Sequence, residues 1–231
     1  MSKRAILLAG GLGTRLKPYT ISLPKPLVPI GDRPIMEIII EKLVSYEFDH
    51  ITLAVNHQSD LIKAYFQDGK KFNVYIDYIL ETKPLGTMGP LSNIDDLPDN
   101  FLVMNGDVLT DLNFNNFYNF HVQNNNIFTI SSFNRVQLID FGVLNINDNN
   151  DLINIQEKPK YNFEVSMGIY MLNKEVLNYI PKNEFFNFDI LMKKLIDSNK
   201  CPNVLKHSGT WLDIGRPSDY EMANDNLSNF I

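Results

Sequence analysis

The stretch that decides the fold is Arg4-Ala5-Ile6-Leu7-Leu8-Ala9-Gly10-Gly11-Leu12-Gly13-Thr14-Arg15-Leu16. An apolar run that stops at two glycines describes a parallel strand buried on both faces, over 4–9. The glycines free the chain to turn, and they let backbone N–H groups approach a ligand with no Cβ in the way. What comes next is not a helix. Pro18, Pro24, Pro26 and Pro29 stiffen the following stretch into a loop that also carries Arg15 and Lys25. Pro34 then suits the first turn of a helix whose apolar face is Ile35, Ile38, Ile39 and Val44.

Working outward, further strands are expected at 51–55, 74–80 and 101–104, with helices at 60–66 and 86–94 between them. Such alternation is the mark of a right-handed, mainly parallel, doubly wound sheet. The second half is richer in strands, at 127–133, 141–146, 152–156 and 165–172, and helices are expected at 174–179, 188–198 and 217–226. The asparagine-rich stretches 113–126 and 145–154 read as polar loops and helix faces. The class is therefore α/β: a Rossmann-like, doubly wound, mixed but mainly parallel sheet flanked by helices. No low-complexity linker and no internal repeat divides the chain, so one domain over 1–231 is expected.

Composition narrows the function. Hydrophobic residues make up 44% of the 231, enough for a full core. The apolar runs are too short to span a bilayer, and the basic start lacks the apolar stretch of a signal peptide. A cytoplasmic protein with no membrane partner is expected. Cys201, the one cysteine, excludes a disulfide framework and a cysteine-based metal cluster. A net charge of −6 argues against a nucleic-acid surface, though not against a nucleotide, for which a few local cations suffice.

Ligands of doubly wound sheets collect beyond the carboxyl ends of the strands, where the chemically loaded residues of this chain fall. Gly11-Leu12-Gly13-Thr14-Arg15-Leu16 supplies two glycines of a dinucleotide fingerprint but has leucine where the third belongs. The Gly-Lys-Ser/Thr of a phosphate-binding ATPase loop is absent. Arg15 and Lys25 offer a rigid fork and a mobile point charge beside clustered backbone donors, which suits a polyphosphate.

Gly10-Gly11-Leu12-Gly13-Thr14-Arg15-Leu16, followed by Pro18, Thr20, Lys25-Pro26 and Pro29, resembles the signature of sugar-1-phosphate nucleotidyltransferases. The resemblance runs from Ala5 to Tyr220. It implies that Leu8, Gly10, Gly11, Gly13 and Thr14 contact the nucleotide, and that Arg15 and Lys25 bind its triphosphate, with Lys25 also holding the α-phosphate. Glu81, Gly86 and Thr87, in a segment similar to the family's Leu-Gly-Thr-Ala-Gly, would lie near the base. Met88 stands there for the usual alanine and is expected to crowd that loop. Asp107, in the turn of Asn105-Gly106-Asp107, and Asp213, in Trp211-Leu212-Asp213-Ile214-Gly215, match the family's two Mg²⁺ ligands. Asn105, Gly142, Glu157, Lys158 and Gly168 match positions of the sugar-phosphate site.

This version looks most like the guanylyltransferase branch, for mannose, glucosamine or heptose phosphates, so GTP is the expected donor. Thymidylyl, uridylyl and cytidylyl relatives share most of the same positions. The expected reaction is direct in-line displacement, with Arg15, Lys25 and Asp107 as its catalytic residues. No general base is evident: His57 follows a strand without an obvious partner, and His50, His121 and His207 look peripheral. Two rivals remain. A nucleotide-sugar glycosyltransferase also ends a strand in an acidic turn, but Asn105-Gly106-Asp107 is a poor aspartate-x-aspartate. A binding-only homologue would be expected to have lost the cations or the carboxylates, and all are present. The β-helix or regulatory domain of some relatives is not expected within 1–231, which leaves homo-oligomerisation through other contacts open.

Overall fold

Lys3–Leu8 (β1) forms the middle of a seven-stranded sheet in the computed structural model, which describes residues 2–56 and 58–230. His57 lies outside the described residues. After β1 come a two-strand ladder of Pro29–Ile30 (β2) and Arg33–Pro34 (β3), then Ile35–Ser45 (α1), Phe48–Val55 (β4), Ser59–Phe66 (α2) and Tyr75–Leu80 (β5). Asn100–Asn105 (β6), Val108–Thr110 (β7) and Phe114–Gln123 (α3) follow, then Phe128–Leu138 (β8), Val143–Ile146 (β9), Leu152–Gln156 (β10) and Lys160–Asn173 (β11). The chain continues through Phe188–Asp197 (α4), Asn203–His207 (β12), Trp211–Asp213 (β13) and Pro217–Asp225 (α5).

The strand order is β12-β8-β11-β6-β1-β4-β5. Neighbours pair in parallel except around β11, which is antiparallel to both β6 and β8. This is the mixed, mainly parallel sheet expected. Its parallel strands β1, β4, β5 and β6 all end on one edge, and there the glycine loop, Asn56, Glu81 and Asn105 emerge. Backbone bonds tie these loops to the sheet: Ala9 N–H to Ala54 O at 2.8 Å, Glu81 N–H to Val55 O at 2.8 Å and Gly106 N–H to Leu8 O at 3.0 Å.

Two apolar clusters cover the faces of the sheet. One packs α1, α2 and α3 on one face, and the other packs α4 with the residues around Leu91 and Phe186 on the opposite face. Helix α1 forms because Pro34 presets its entry and because Ile35, Met36, Ile39, Ile40 and Leu43 recur at three- and four-residue spacing, all buried. It ends at Tyr46, whose N–H returns to Leu43 O, and Glu47 then takes a left-handed backbone. Removing the Leu43 side chain to Ala would cost roughly 2–5 kcal/mol.

Several expectations need correction. The helix expected at 86–94 is a turn followed by a 3-10 segment, Gly89–Asn93, and 174–179 is also 3-10. The strand expected at 141–146 begins only at Val143, because Asp140 to Gly142 make the corner that turns β8 into β9. Residues 113–126, read as loops and helix faces, contain a full helix. Asn113 caps it by accepting from Asn116 N–H at 2.9 Å, and Phe114, Phe117 and His121 are its buried face. The short strands β7, β12 and β13 are additions that the sequence pattern does not show. Met88 does not crowd its loop: its side chain is fully buried in the second cluster, beneath the sheet. Among the described residues no helix is long and apolar enough to cross a membrane.

Candidate active site

The glycine loop is held in shape by its own neighbours. Gly13 has φ of 62°, and a Cβ there would lie 2.8 Å from Thr20 Cγ2. Thr20 Oγ1 donates to Gly13 O at 2.7 Å and fixes the turn. Residues 14–16 then close one 3-10 turn that buries Leu16 as an anchor. Arg15 is left at the rim, and Lys25 opens a second 3-10 turn between Pro24 and Pro26.

Asp107 follows β6 in the turn into β7, and Lys25 Nζ is ion-paired with its Oδ2. Strand β13 lies antiparallel to β7 with Asp213 opposite Val108, and Ile214 N–H donates to Asp107 O at 3.0 Å. That pairing sets the Asp213 carboxylate beside Asp107. Gly215, two residues on, packs against the Arg15 guanidinium, for a Cβ at Gly215 would lie 3.4 Å from one of its nitrogens.

The electrostatics of this cluster are strained in one direction. Burial, followed by the neighbouring Asp107 charge, pushes the Asp213 carboxyl above its ordinary range, while Lys25 and Arg15 pull the other way. Asp213 Oδ1 is buried and, among the described residues, has no hydrogen-bond partner. A buried, orphaned carboxylate oxygen beside a second carboxylate is costly unless a cation meets it. Two hard oxygen donors of this kind fit a divalent cation such as Mg²⁺.

A cavity of about 330 Å³ opens under the loop and brings together Leu8, Gly11, Gly13, Thr14, Arg15, Lys25 and Asp107 among the residues singled out in the sequence, with Gly215 on its wall. Gly10 backs onto Glu81, whose Oε1 would lie 3.0 Å from a Cβ at Gly10. Glu81 Oε2 accepts from Leu85 N–H at 3.2 Å, and burial raises the carboxyl despite that bond.

The remaining candidates fall into three small groups. Gly86 and Thr87 are fastened to the segment before α4. Thr87 N–H donates to Asn187 Oδ1 at 3.3 Å, Phe188 N–H to Thr87 Oγ1 at 2.8 Å and Phe186 N–H to Leu85 O at 2.8 Å. Asn105 and Gly168 touch, because a Cβ at Gly168 would lie 2.5 Å from Asn105 Nδ2. Gly168 has φ of 75° in the register break between Ser166 and Tyr170. Gly142 and Glu157 also meet, since a Cβ at Gly142 would lie 3.1 Å from Glu157 Oε2, and Lys158 follows with φ of 45°. Gly142, Glu157 and Lys158 sit on the arm that β8 and β11 extend past the sheet edge, outside the cavity lined by the glycine loop.

Two supporting residues escape a reading of the sequence. Asn187 holds the Gly86–Thr87 loop, and Asn56 Nδ2 donates to Gly10 O. Asn56 carries a signal, being the first polar residue after a wholly apolar strand end on the ligand edge. Asn187 carries none, since its role depends on a chain segment far away in sequence.

Among known proteins, this chain is 34% identical to a UTP-glucose-1-phosphate uridylyltransferase of Synechocystis over 95% of its length. It is also 34% identical to a mannose-1-phosphate guanyltransferase of Aspergillus oryzae over 94%. It spans 62% of the length of each of these relatives. Of solved structures, HddC from Yersinia pseudotuberculosis superposes with a TM-score of 0.76 at 26% identity, covering 97% of this chain and 99% of that one. The same protein has been solved in complex with GMP-PN. The model of the nucleotidyl transferase family matches residues 4–229, and the chain belongs to that family.

Proposed function

We propose that this chain transfers a nucleoside monophosphate from GTP to a sugar 1-phosphate and releases pyrophosphate. The observation that carries the reading is the convergence of Arg15, Lys25 and Asp107 at one cavity under a backbone-lined glycine loop, with Asp213 brought beside Asp107 by the pairing of β13 with β7. In this reading Leu8, Gly10, Gly11, Gly13 and Thr14 cradle the nucleotide, and Arg15 and Lys25 take its phosphates. Asp107 and Asp213 would hold Mg²⁺, which when bound would neutralise charge on the phosphate oxygens. Asn105, Gly142, Glu157, Lys158 and Gly168 would line the acceptor side.

Glu81 supports guanine as the base. A carboxylate held by Leu85 beside the glycine loop accepts hydrogen bonds only, and guanine offers the adjacent N1–H and N2–H donors. Uracil and thymine flank their single N–H with carbonyl oxygens, which a carboxylate repels. An amide side chain would serve those bases better.

The chemistry needs no general base. A sugar phosphate is already anionic near pH 7. One of its oxygens attacks the α-phosphorus in line. A new P–O bond forms as the bond from the α-phosphorus to the bridging oxygen breaks, and that oxygen leaves with the electron pair on pyrophosphate. Lys25 and Arg15 contribute by positioning and by charge, as in phosphoryl transfers generally. Pyrophosphate release should be measured with each nucleoside triphosphate against a panel of sugar 1-phosphates. Release that depends on both substrates and is fastest with GTP is expected. Silence from folded protein across the panel would overturn the reading.

A further inference from the structure

A second cavity, of about 300 Å³, adjoins the first and shares Arg15 and Gly215 with it. Its other walls include Arg135 and Phe133 from β8, Trp211 from β13, and Arg216 at the start of α5. The chain has five arginines. Arg4 is paired with Asp77 and Asp96, and Arg33 with Glu41. The other three line this one cavity, and among the described residues none of them forms an ion pair. In a protein of net charge −6, three unpaired guanidiniums on one cavity amount to a concentrated positive surplus.

Two carboxylates also face the cavity, and among the described residues neither forms an ion pair with these guanidiniums. Asp219 Oδ2 accepts from Gly215 N–H at 3.2 Å and from Arg216 N–H at 2.8 Å, and Asp213 sits beside Asp107. The guanidiniums are therefore left for an anion from outside. They come from three separate elements, so they can surround a ligand, and their forks match phosphate oxygens. The position of the cavity selects the ligand. It opens from Arg15, the end of the first cavity assigned to the phosphates, and not from the Glu81 side assigned to the base.

We propose that Arg135 and Arg216, together with Arg15, form a pyrophosphate subsite that holds the leaving group as it separates from the α-phosphorus. The same subsite admits pyrophosphate in the reverse reaction. The assignment rests on the nucleotidyltransfer reading above and adds Arg135 and Arg216 to it. Negative charge gathers on the departing oxygen as its bond to the α-phosphorus breaks, so cations placed beyond Arg15 stabilise the product end of the displacement.

The test uses Arg135→Gln, Arg216→Gln and the double variant, each checked for an unchanged melting temperature. If Arg216→Gln unfolds, Arg216→Lys replaces it, keeping the charge and removing the fork. Pyrophosphate is titrated calorimetrically into each protein with Mg²⁺ present, and KM values are measured in both reaction directions. Each single variant should weaken pyrophosphate binding by about tenfold, the usual worth of a charge-assisted hydrogen bond. The KM for pyrophosphate should rise to match, while the KM for sugar 1-phosphate stays within about twofold of the parent's. Unchanged pyrophosphate binding in both single variants would overturn the subsite. So would a rise confined to the KM for sugar phosphate, which would give these arginines to the acceptor. A parent protein that binds pyrophosphate and loses it in the variants, yet turns over no sugar phosphate, would uphold the subsite and refute the transferase reading.

Discussion

Replacing Asp213 with Asn should stabilise the metal-free protein while destroying its activity. The change keeps the size of the side chain and removes one negative charge from beside Asp107. In the parent, Asp213 Oδ1 is buried without a partner among the described residues, and burial and Asp107 both work against the charged form. An unsatisfied buried acceptor costs about 1–3 kcal/mol, more when charged. Part of that is offset by Lys25 and Arg15, so a net gain of about 1 kcal/mol is the reasonable expectation. For a chain of this length, 1 kcal/mol raises the melting temperature by roughly 2–4 °C.

Mg²⁺ should reverse the order. A ligand at a hundred times its Kd adds about 2.7 kcal/mol to the protein that binds it. The parent gains that increment, and a variant with one of the two carboxylates removed gains much less. Thermal unfolding of both proteins, first in EDTA and then in millimolar Mg²⁺, reads the crossing directly. Pyrophosphate release from the variant should fall by about 10²–10³, the loss seen when one electrostatic stabiliser is removed. The reasoning is refuted if the variant melts several degrees lower than the parent in EDTA, since Asp213 would then be a structural residue. It is equally refuted if Mg²⁺ shifts both proteins alike.

Lys25→Ala should lower kcat by about 10²-fold or more with little change in KM for the nucleotide, while Lys158→Ala should raise the KM for sugar 1-phosphate. A Lys25 variant with near-normal turnover would remove that residue from the chemistry. Glu81→Gln should reduce the preference for GTP over UTP by about tenfold or more, because the amide can donate to the carbonyls that a carboxylate repels. Competition between the two nucleotides measures the change, and an unaltered ratio would take the base edge away from Glu81. Gly168→Ala, with φ of 75° and its Cβ 2.5 Å from Asn105 Nδ2, should displace Asn105 and raise the KM for the acceptor more than it lowers stability.

A pH effect is expected from His121, which is fully buried with Nδ1 2.8 Å from Thr129 Oγ1. Burial lowers its pKa from 6.5 to about 4. The folded state therefore resists protonation, the unfolded state binds more protons, and stability falls as the pH drops from about 6.5 towards 4. Integration gives a loss of about 2 kcal/mol between pH 7.5 and pH 5. Urea midpoints at the two pH values should show it, and His121→Gln should flatten the difference.

The glycine loop and the parallel half of the sheet are readable because local chemistry and topology agree there. An apolar run, two glycines and a proline-stiffened loop leave few ways to continue, and the residues that follow each parallel strand arrive at one edge. Helix α3 shows in the sequence only as helix faces mixed with loops, without bounds, because its composition opposes it. Asparagine favours caps and turns over helix interiors, and only the spacing of Phe114, Phe117 and His121 shows the face it buries. In tertiary context that face outweighs the propensity. Met88 misleads for the opposite reason: a larger residue in a ligand loop suggests crowding, yet its side chain turns away into the core.

The two carboxylates proposed to hold Mg²⁺ show where sequence reading stops. Asp107 and Asp213 each stand out in their own segments, but their neighbouring placement depends on β13 lying antiparallel to β7, and three-residue strands leave no periodic trace. The same is true of Arg135 and Arg216, single cations in unremarkable surroundings until the fold closes them around one cavity. Residues that bind through a shared loop announce themselves by spacing. Residues that meet only across the fold are recognised by what they lack among the described residues, which here is an ion-pair partner for Arg135 and Arg216 and a partner for Asp213 Oδ1. Those missing partners are what a polyphosphate and a divalent cation would supply.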